Sequence, residues 1–330
     1  PPSWAQNYEN AVYASHIVEF FDRKLGLLLG GRIQEYEVRN IPFKNKADID
    51  DVNTMGLSWQ VHPNLIAFAS RSKSFEPNIN TYLIDGAGAT QAEKNANRHP
   101  PVVGDGFDFG VKFGLWKRKI VGSLSYFEVK RLNDAAFRTQ DIARMNADPR
   151  NNDADTNNNV VYYIPGGERL SKGVDFELLY QPNARYSAVI TAGYLPVAKV
   201  TKNDAIPFVT TIDGRRIRDP NIGNYPGQRS PNAPKHTFSF WNHYKFSGKG
   251  WGVGFGGNYM SKVEIPQIRS YQVTVPSYVN LRLGVDYTRA LSKGSLRLSA
   301  VLTNALDERY FISVYRAEPR ALTLQAAYQF

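Results

Sequence analysis

Three groups of residues in this sequence carry side chains that could do chemistry. Segment 196–233 holds Lys199, Lys202, Arg215, Arg216, Arg218 and Arg229, together with Phe208 and Tyr225 and only three acids. Guanidinium forks match anionic oxygens, and aromatic rings suit the flat or apolar parts of a ligand. The same set would also meet phosphates at a cell surface, so the segment reads as anion-binding before anything narrower. Segment 146–159, "NADPRNNDADTNNN", places Asp153, Asp155, Asn157 and Asn159 at every second position, the spacing of a calcium loop. Asn158 stands where that loop needs Gly, and Ile164 where it needs Glu. A mobile polar surface loop is therefore the expectation. Ser239 and His243 share one strand face and invite comparison with a nucleophile and its base. Four residues of extended chain separate them by about 13 Å, beyond hydrogen-bond reach. No nucleophile elbow and no metal-binding His pair occurs elsewhere, so neither an enzyme nor a metal site is expected.

The elements that must position these residues follow from composition and period. The chain of 330 residues is 42% hydrophobic, with 13% aromatic residues that include 19 Tyr and 18 Phe. No apolar run approaches the roughly 18 residues of a transmembrane helix. A β-barrel stays open, because its alternating strands hide from hydropathy. With no cysteine, disulfides and thiolate metal sites are excluded. The net charge of +10 could serve nucleic acid, anionic headgroups or an anionic ligand. The densest basic cluster, "WKRKI" at 116–120, is too short for a nucleic-acid tail. The opening "PPSWAQNYEN" does not read as a signal peptide.

Alternation predicts about thirteen strands, near 6–20, 24–39, 54–61, 65–74, 106–115, 119–131, 170–180, 186–195, 234–246, 250–262, 277–289, 294–305 and 319–330. Tight turns at 21–23, 62–64, 116–118, 181–185, 247–249 and 290–293 alternate with long segments of roughly 13 to 38 residues. One end of the structure should then carry every long loop, as in outer-membrane barrels.

Two strands test what the faces meet. Tyr186 and Tyr194 bracket one apolar face; Trp251 and Tyr259 bracket another. Eight residues of tilted strand span roughly 20 Å along a membrane normal, which suits two aromatic girdles. Tyr180, Phe246, Tyr287 and Phe330 end strands that run toward the short turns. The opposite faces are polar, as Asn280, Arg282, Asp286 and Thr288 illustrate, and a watery lumen accounts for them. A soluble sandwich would explain any single strand equally well. Paired girdles and alternating loops favour an all-β transmembrane antiparallel barrel. Asn242, on the apolar face of 234–246, is a misfit.

Six phrases in order carry a family resemblance: "SFEPN" (74–78), "SKGVDFEL" (171–178), "SPNAPKHTFSFWNHYKF" (230–246), "VPSYVNLRLGVDY" (275–287), "VLTNALDERYF" (301–311) and "PRALTLQAAYQF" (319–330). They resemble TonB-dependent outer-membrane receptors, most closely the ferric-siderophore branch. The resemblance implies a 22-stranded barrel around an N-terminal plug, of which residues 1–330 would be the C-terminal section, strands ten to twenty-two. The plug and the first strands would lie outside the chain. It implies a monomer in the outer membrane of a Gram-negative cell, among lipid and lipopolysaccharide. Tyr328 and Phe330 would be the assembly signal shown to the barrel-assembly machinery. Extracellular loops would capture a ferric siderophore, and TonB with ExbB and ExbD would supply the work through the plug. Candidate ligand contacts are the aromatic and arginine residues of the long loops: Arg138, Tyr162, Tyr163, Phe208, Arg215, Arg216, Arg218, Tyr225, Arg229, Tyr271, Tyr315 and Arg316. No cofactor is implied. Cobalamin, glycan or heme could replace the siderophore, and a passive porin-like barrel is the alternative mode. Heme is disfavoured, since only His99 lies in a long loop.

Overall fold

The computed structural model describes residues 5–40, 43–76, 78, 81–134, 139–203, 208–210, 212, 216–218, 226–248, 250–266, 272–313 and 315–330. Thirteen strands form one antiparallel sheet in strict chain order. They are β1 (Ala5–Phe20), β2 (Leu25–Asn40), β3 (Phe43–His62), β4 (Leu65–Glu76), β5 (Val102–Leu115), β6 (Ile120–Leu132) and β7 (Glu168–Asn183). The sheet continues through β8 (Tyr186–Lys202), β9 (His236–Lys245), β10 (Trp251–Met260), β11 (Tyr278–Leu291), β12 (Gly294–Thr303) and β13 (Ala321–Gln329). No helix is long and apolar enough to cross a membrane.

Register aligns the sequence periods across the whole sheet. Tyr186 faces Tyr244, Val253 and then Val285; Ala300 and Leu324 continue the row to the last strand. Because partners across a ladder share a face, one face is apolar from Leu27 and Leu57 through Val111, Leu124, Phe176 and Ile190 to Leu324. Its large side chains stand open rather than in a core: Leu283, Phe255 and Leu324 are all exposed. No second layer of this polypeptide covers them among the described residues. The buried apolar residues instead cluster under the loops, as with Val263, Ile265 and Val275.

The opposite face carries Ser58, Ser70, Asp108, Ser125, Asp175, Thr191, Ser239, Asn258, Arg282 and Ser299 in matching rows. Trp241 belongs to this polar face and lies flat against the wall. Methyl groups added at Gly254 or Gly256 would overlap its indole, so these glycines are there for close approach. Ser239 and His243 stay apart and have separate partners. Ser239 meets Thr191 at 2.7 Å, and His243 Nε2 meets Asp286 at 2.6 Å.

Asn242, the misfit of the apolar face, has a physical explanation. The Tyr186 hydroxyl donates to its Oδ1 at 2.7 Å across the β8–β9 ladder. Its Nδ2 donates to the Phe255 carbonyl at 3.5 Å, so both polar atoms of the amide have a partner, which lowers the cost of leaving it in hydrocarbon.

Two expectations need correction. Residues 40–53 were expected as a long loop, but β2 and β3 run on as a hairpin through most of them, with only 41–42 outside the described strands. Charged residues alternate there as they do on an edge that leaves the membrane, so polarity alone does not break a strand. The 146–159 segment was expected to be mobile, yet it is a folded part of a larger unit described below.

Candidate ligand-binding loops

Every connection longer than a few residues leaves the same end of the sheet, and three clusters organise that end. The first joins 77–101 to 133–167. Short strands Ile84–Asp85, Val161–Ile164 and Thr139–Gln140 pair into a three-stranded sheet, flanked by α1 (Gln91–Ala96) and α2 (Ile142–Ala147). Thr90 and Glu93 close a capping box at α1, each bonding the other's backbone N–H.

Arg150 is the hub. Its Nε and Nη2 grip Asp148 at 3.0 and 2.8 Å, while Nη1 donates to Glu93 at 3.1 Å and to the Gly88 carbonyl at 3.0 Å. The Tyr162 hydroxyl donates to Asp148 at 2.8 Å, and the Arg144 guanidinium lies 4.3 Å from the Tyr162 ring centroid. These contacts hold Asp148 well below the usual carboxylate range, chiefly through Arg150. Glu93 is lowered as well, first by the Thr90 amide. Asn151 adds a two-point clasp on Val160, donating to its carbonyl at 2.8 Å and accepting from its amide at 2.7 Å.

The calcium-like spacing is consumed locally. Asp153 accepts from the Asp155 amide and the Asn158 side chain, and Asp155 accepts from Asn157. These are Asx turns, for which the Asp/Asn alternation is equally well suited. No grouping of possible metal ligands occurs among the described residues.

The second cluster is the base of loop 203–235. Arg229 folds back and donates to three main-chain carbonyls: Leu195 at 2.7 Å, Ala233 at 2.8 Å and Pro196 at 3.3 Å. Burial pulls its pKa below the ordinary arginine value, though not far enough to discharge it. Arg229 is thus a staple for the loop's neck. Above it, Phe208–Thr210 pairs with Arg216–Arg218 as a small hairpin. Arg138, Arg215, Tyr225 and Tyr271 lie outside the described residues.

The third cluster lies between β12 and β13. Asn304 is buried with φ near +48°, and its side chain is fully engaged. It donates to the Glu308 and Glu318 carbonyls at 2.9 and 3.3 Å and accepts from the Glu308 amide at 3.0 Å. The Asn304 amide in turn donates to Asn280 on β11 at 3.1 Å. Tyr310 stacks on Tyr278 with centroids 4.2 Å apart, and its hydroxyl accepts from Asn280 at 2.8 Å. Asp307 clasps the Arg320 amide and guanidinium, which keeps its carboxyl acidic.

This latch holds open a recess of about 440 Å³ lined by Arg282, Tyr310, Tyr315, Arg316 and Glu318. Arg282 rises from the polar face of the wall; Tyr315 and Arg316 come from an exposed hairpin. Among the described residues neither Arg282 nor Arg316 is held in an ion pair, in contrast with Arg150. The recess therefore combines two available guanidiniums with phenols, a donor set for an anionic, oxygen-rich ligand.

A sequence model of the family described as "TonB dependent receptor-like, beta-barrel" matches residues 2–305. The chain belongs to this family. TonB-dependent receptors are transporters of the Gram-negative outer membrane and not enzymes. A curated relative is the metal-pseudopaline receptor CntO of Pseudomonas aeruginosa, 26% identical over 328 residues, which cover 93% of this chain and 39% of that protein. The solved ferric preacinetobactin receptor BauA of Acinetobacter baumannii matches at 18% identity and TM-score 0.69, over 99% of this chain and 43% of its own. The pyoverdine-bound receptor FpvA of P. aeruginosa matches at 19% identity and TM-score 0.69, over 98% and 38%. The TonB-dependent receptor chain described here thus spans about two-fifths of the length of these proteins.

Of the residues singled out for this receptor, the fold brings Tyr315 and Arg316 to one recess. It gives Tyr162 and Arg229 structural partners, and it puts Tyr163 in the small sheet, its amide on the Leu83 carbonyl at 2.8 Å. Arg282, Tyr310 and Asn304 were missed as site residues. The phrase "TNALDERY" was the signal for the latter two, since an Asn followed four residues later by Glu can close a loop on itself.

Proposed function

We propose that this chain is the C-terminal section of a receptor that takes up a metal chelate, a ferric siderophore in the first instance, across the outer membrane. The thirteen strands would be the last of a 22-stranded wall, and a plug with its TonB-contacting segment would be supplied by the rest of the protein. TonB, with ExbB and ExbD, would provide the work. The observation that carries the ligand reading is the recess where Arg282 and Arg316 stand open beside Tyr310 and Tyr315. Anionic hydroxamate, catecholate or carboxylate oxygens suit such donors, and the aromatic rings would cover the chelate's apolar part.

A second reading is specific enough to keep. The similarity to the metal-pseudopaline receptor CntO favours a metal–pseudopaline chelate. Binding of a panel of ferric siderophores and metal–pseudopaline chelates to the purified full-length receptor separates the two. One class should bind at micromolar concentration or tighter, and Arg316→Ala should weaken that class alone. Equal, weak binding of every class, unchanged in the variant, would refute both readings.

A further inference from the structure

The net charge of +10 is not spread over the molecule. Consider the residues at the short-turn end: 19–25, 60–65, 115–120, 181–187, 245–251, 288–295 and 326–330. Of the chain's 40 Lys and Arg and 30 Asp and Glu, these segments hold ten and two, leaving thirty against twenty-eight for all the rest. Most of the excess charge therefore sits on one rim, and it is the rim that the family directs to the periplasm.

Pairing sharpens the asymmetry. At the long-loop end several cations are matched: Arg150 with Asp148 and Glu93, Arg131 with Glu76, Arg169 with Asp134, Lys172 with Glu128, while Arg282 and Arg316 stand open at the recess. At the short-turn end Arg23–Glu19 at 3.4 Å is the single ion pair among the described residues, and both partners are exposed. Lys117, Arg118 and Lys119 in one turn, and Arg289 and Lys293 near another, have no carboxylate partner there.

Aromatic residues share this rim. Phe21 and Trp116 project from turns in which three consecutive residues have positive φ, and both rings are about 70% exposed or more, at 76% and 68%. On the apolar face, Tyr180 and Tyr186 meet edge to face at 5.9 Å, as do Tyr328 and Phe330 at 5.3 Å, and Trp251 lies tilted against Tyr287 at 4.8 Å. Arg289 stands on that same apolar face, two residues beyond Tyr287 and level with Leu296 and Tyr328.

We propose that this rim is a cationic–aromatic collar that binds the anionic phospholipids of the periplasmic leaflet, phosphatidylglycerol and cardiolipin. The rings sit at headgroup depth, where amphipathic aromatics partition, and the unpaired Lys and Arg reach the phosphates beyond them. Lipopolysaccharide at the other rim would meet a surface whose charge is already balanced. The collar thus assigns the chain's positive charge to the inner leaflet and not to the ligand or the cell surface. Lipid phosphate rather than a periplasmic protein is the occupant, because the cations are spread over five of the six short turns instead of forming one patch.

The test uses the full-length receptor in nanodiscs of phosphatidylethanolamine with 20% phosphatidylglycerol, followed by detergent extraction and native mass spectrometry of retained lipid. The wild type should retain phosphatidylglycerol over phosphatidylethanolamine by about tenfold, and half-molar salt should remove most of that preference. The variant Lys117→Gln, Arg118→Gln, Lys119→Gln, Arg289→Gln should lose it, at about fivefold per charge at most, while Arg316→Gln keeps it. Equal retention of the two lipids by the wild type would overturn the proposal, as would a preference that Arg316→Gln abolishes or that salt leaves untouched. The salt arm decides even if the quadruple variant fails to fold.

Discussion

Two loops at the same rim, 133–167 and 304–320, carry an arginine in similar sequence company and use it in opposite ways. Arg150 has an acid two residues before it, a tyrosine twelve after, and spends its N–H groups on Asp148, Glu93 and the Gly88 carbonyl. Arg316 also lies next to a tyrosine and near an acid, yet its guanidinium opens into a recess because Asn304 and Asp307 have taken over the work of holding the loop. An arginine is free for a ligand only where some other residue has already closed the loop that bears it.

The strongest way to break this contrast is to remove the residue that keeps Arg316 free. Asn304→Ala removes the buried side chain that satisfies the Glu308 amide and two carbonyls, and should cost about 2–4 kcal/mol in urea unfolding of the reconstituted receptor. Chelate binding should fall with it. Arg150→Met should leave the barrel's heat resistance intact but open the joined loops. Limited proteolysis within 146–159 should then accelerate by about tenfold or more, as expected when local rather than global stability is lost. Arg316→Ala should reverse that pattern, with unchanged proteolysis and chelate affinity lowered about tenfold, the scale of a single charged contact.

A pH series sharpens the same point. Asp148 and Glu93 have lowered pKa values, so their contribution is fully present above the ordinary carboxylate range and is lost as pH falls through their folded values. The amide of Val160 should therefore lose protection, relative to its intrinsic exchange rate, below about pH 4, while the neck held by Arg229 keeps its protection. Tyr162→Phe should have the smallest effect, less than about twofold on chelate affinity, because its hydroxyl is spent on Asp148.

The wall was legible in the sequence because alternation is a local property: Val279, Leu281, Leu283 and Val285 can face nothing but one side of a strand. That Trp251 and Tyr287 share that apolar face was legible for the same reason. The site was not, since whether Arg229 grips carbonyls 33 residues away or reaches a ligand depends on how a neck closes. Polar composition misled twice, at 40–53 and at 146–159, where strands and Asx turns use the residues that loops also favour. Asn242 shows the converse case. A polar side chain on a greasy face looked anomalous until its cross-strand neighbour Tyr186 was placed beside it.

The claim beneath all of this is that adjacent residues of one strand meet lipid and water in turn. The chain contains no cysteine, so single cysteines at positions 279 to 287, placed in a full-length receptor whose remaining part is made cysteine-free and spin-labelled in liposomes, can be read one at a time. Collision with oxygen should peak at 279, 281, 283, 285 and 287, and collision with a water-soluble nickel chelate at 280, 282, 284 and 286. A profile without that two-residue alternation, or with the oxygen maxima at the even positions, would contradict it.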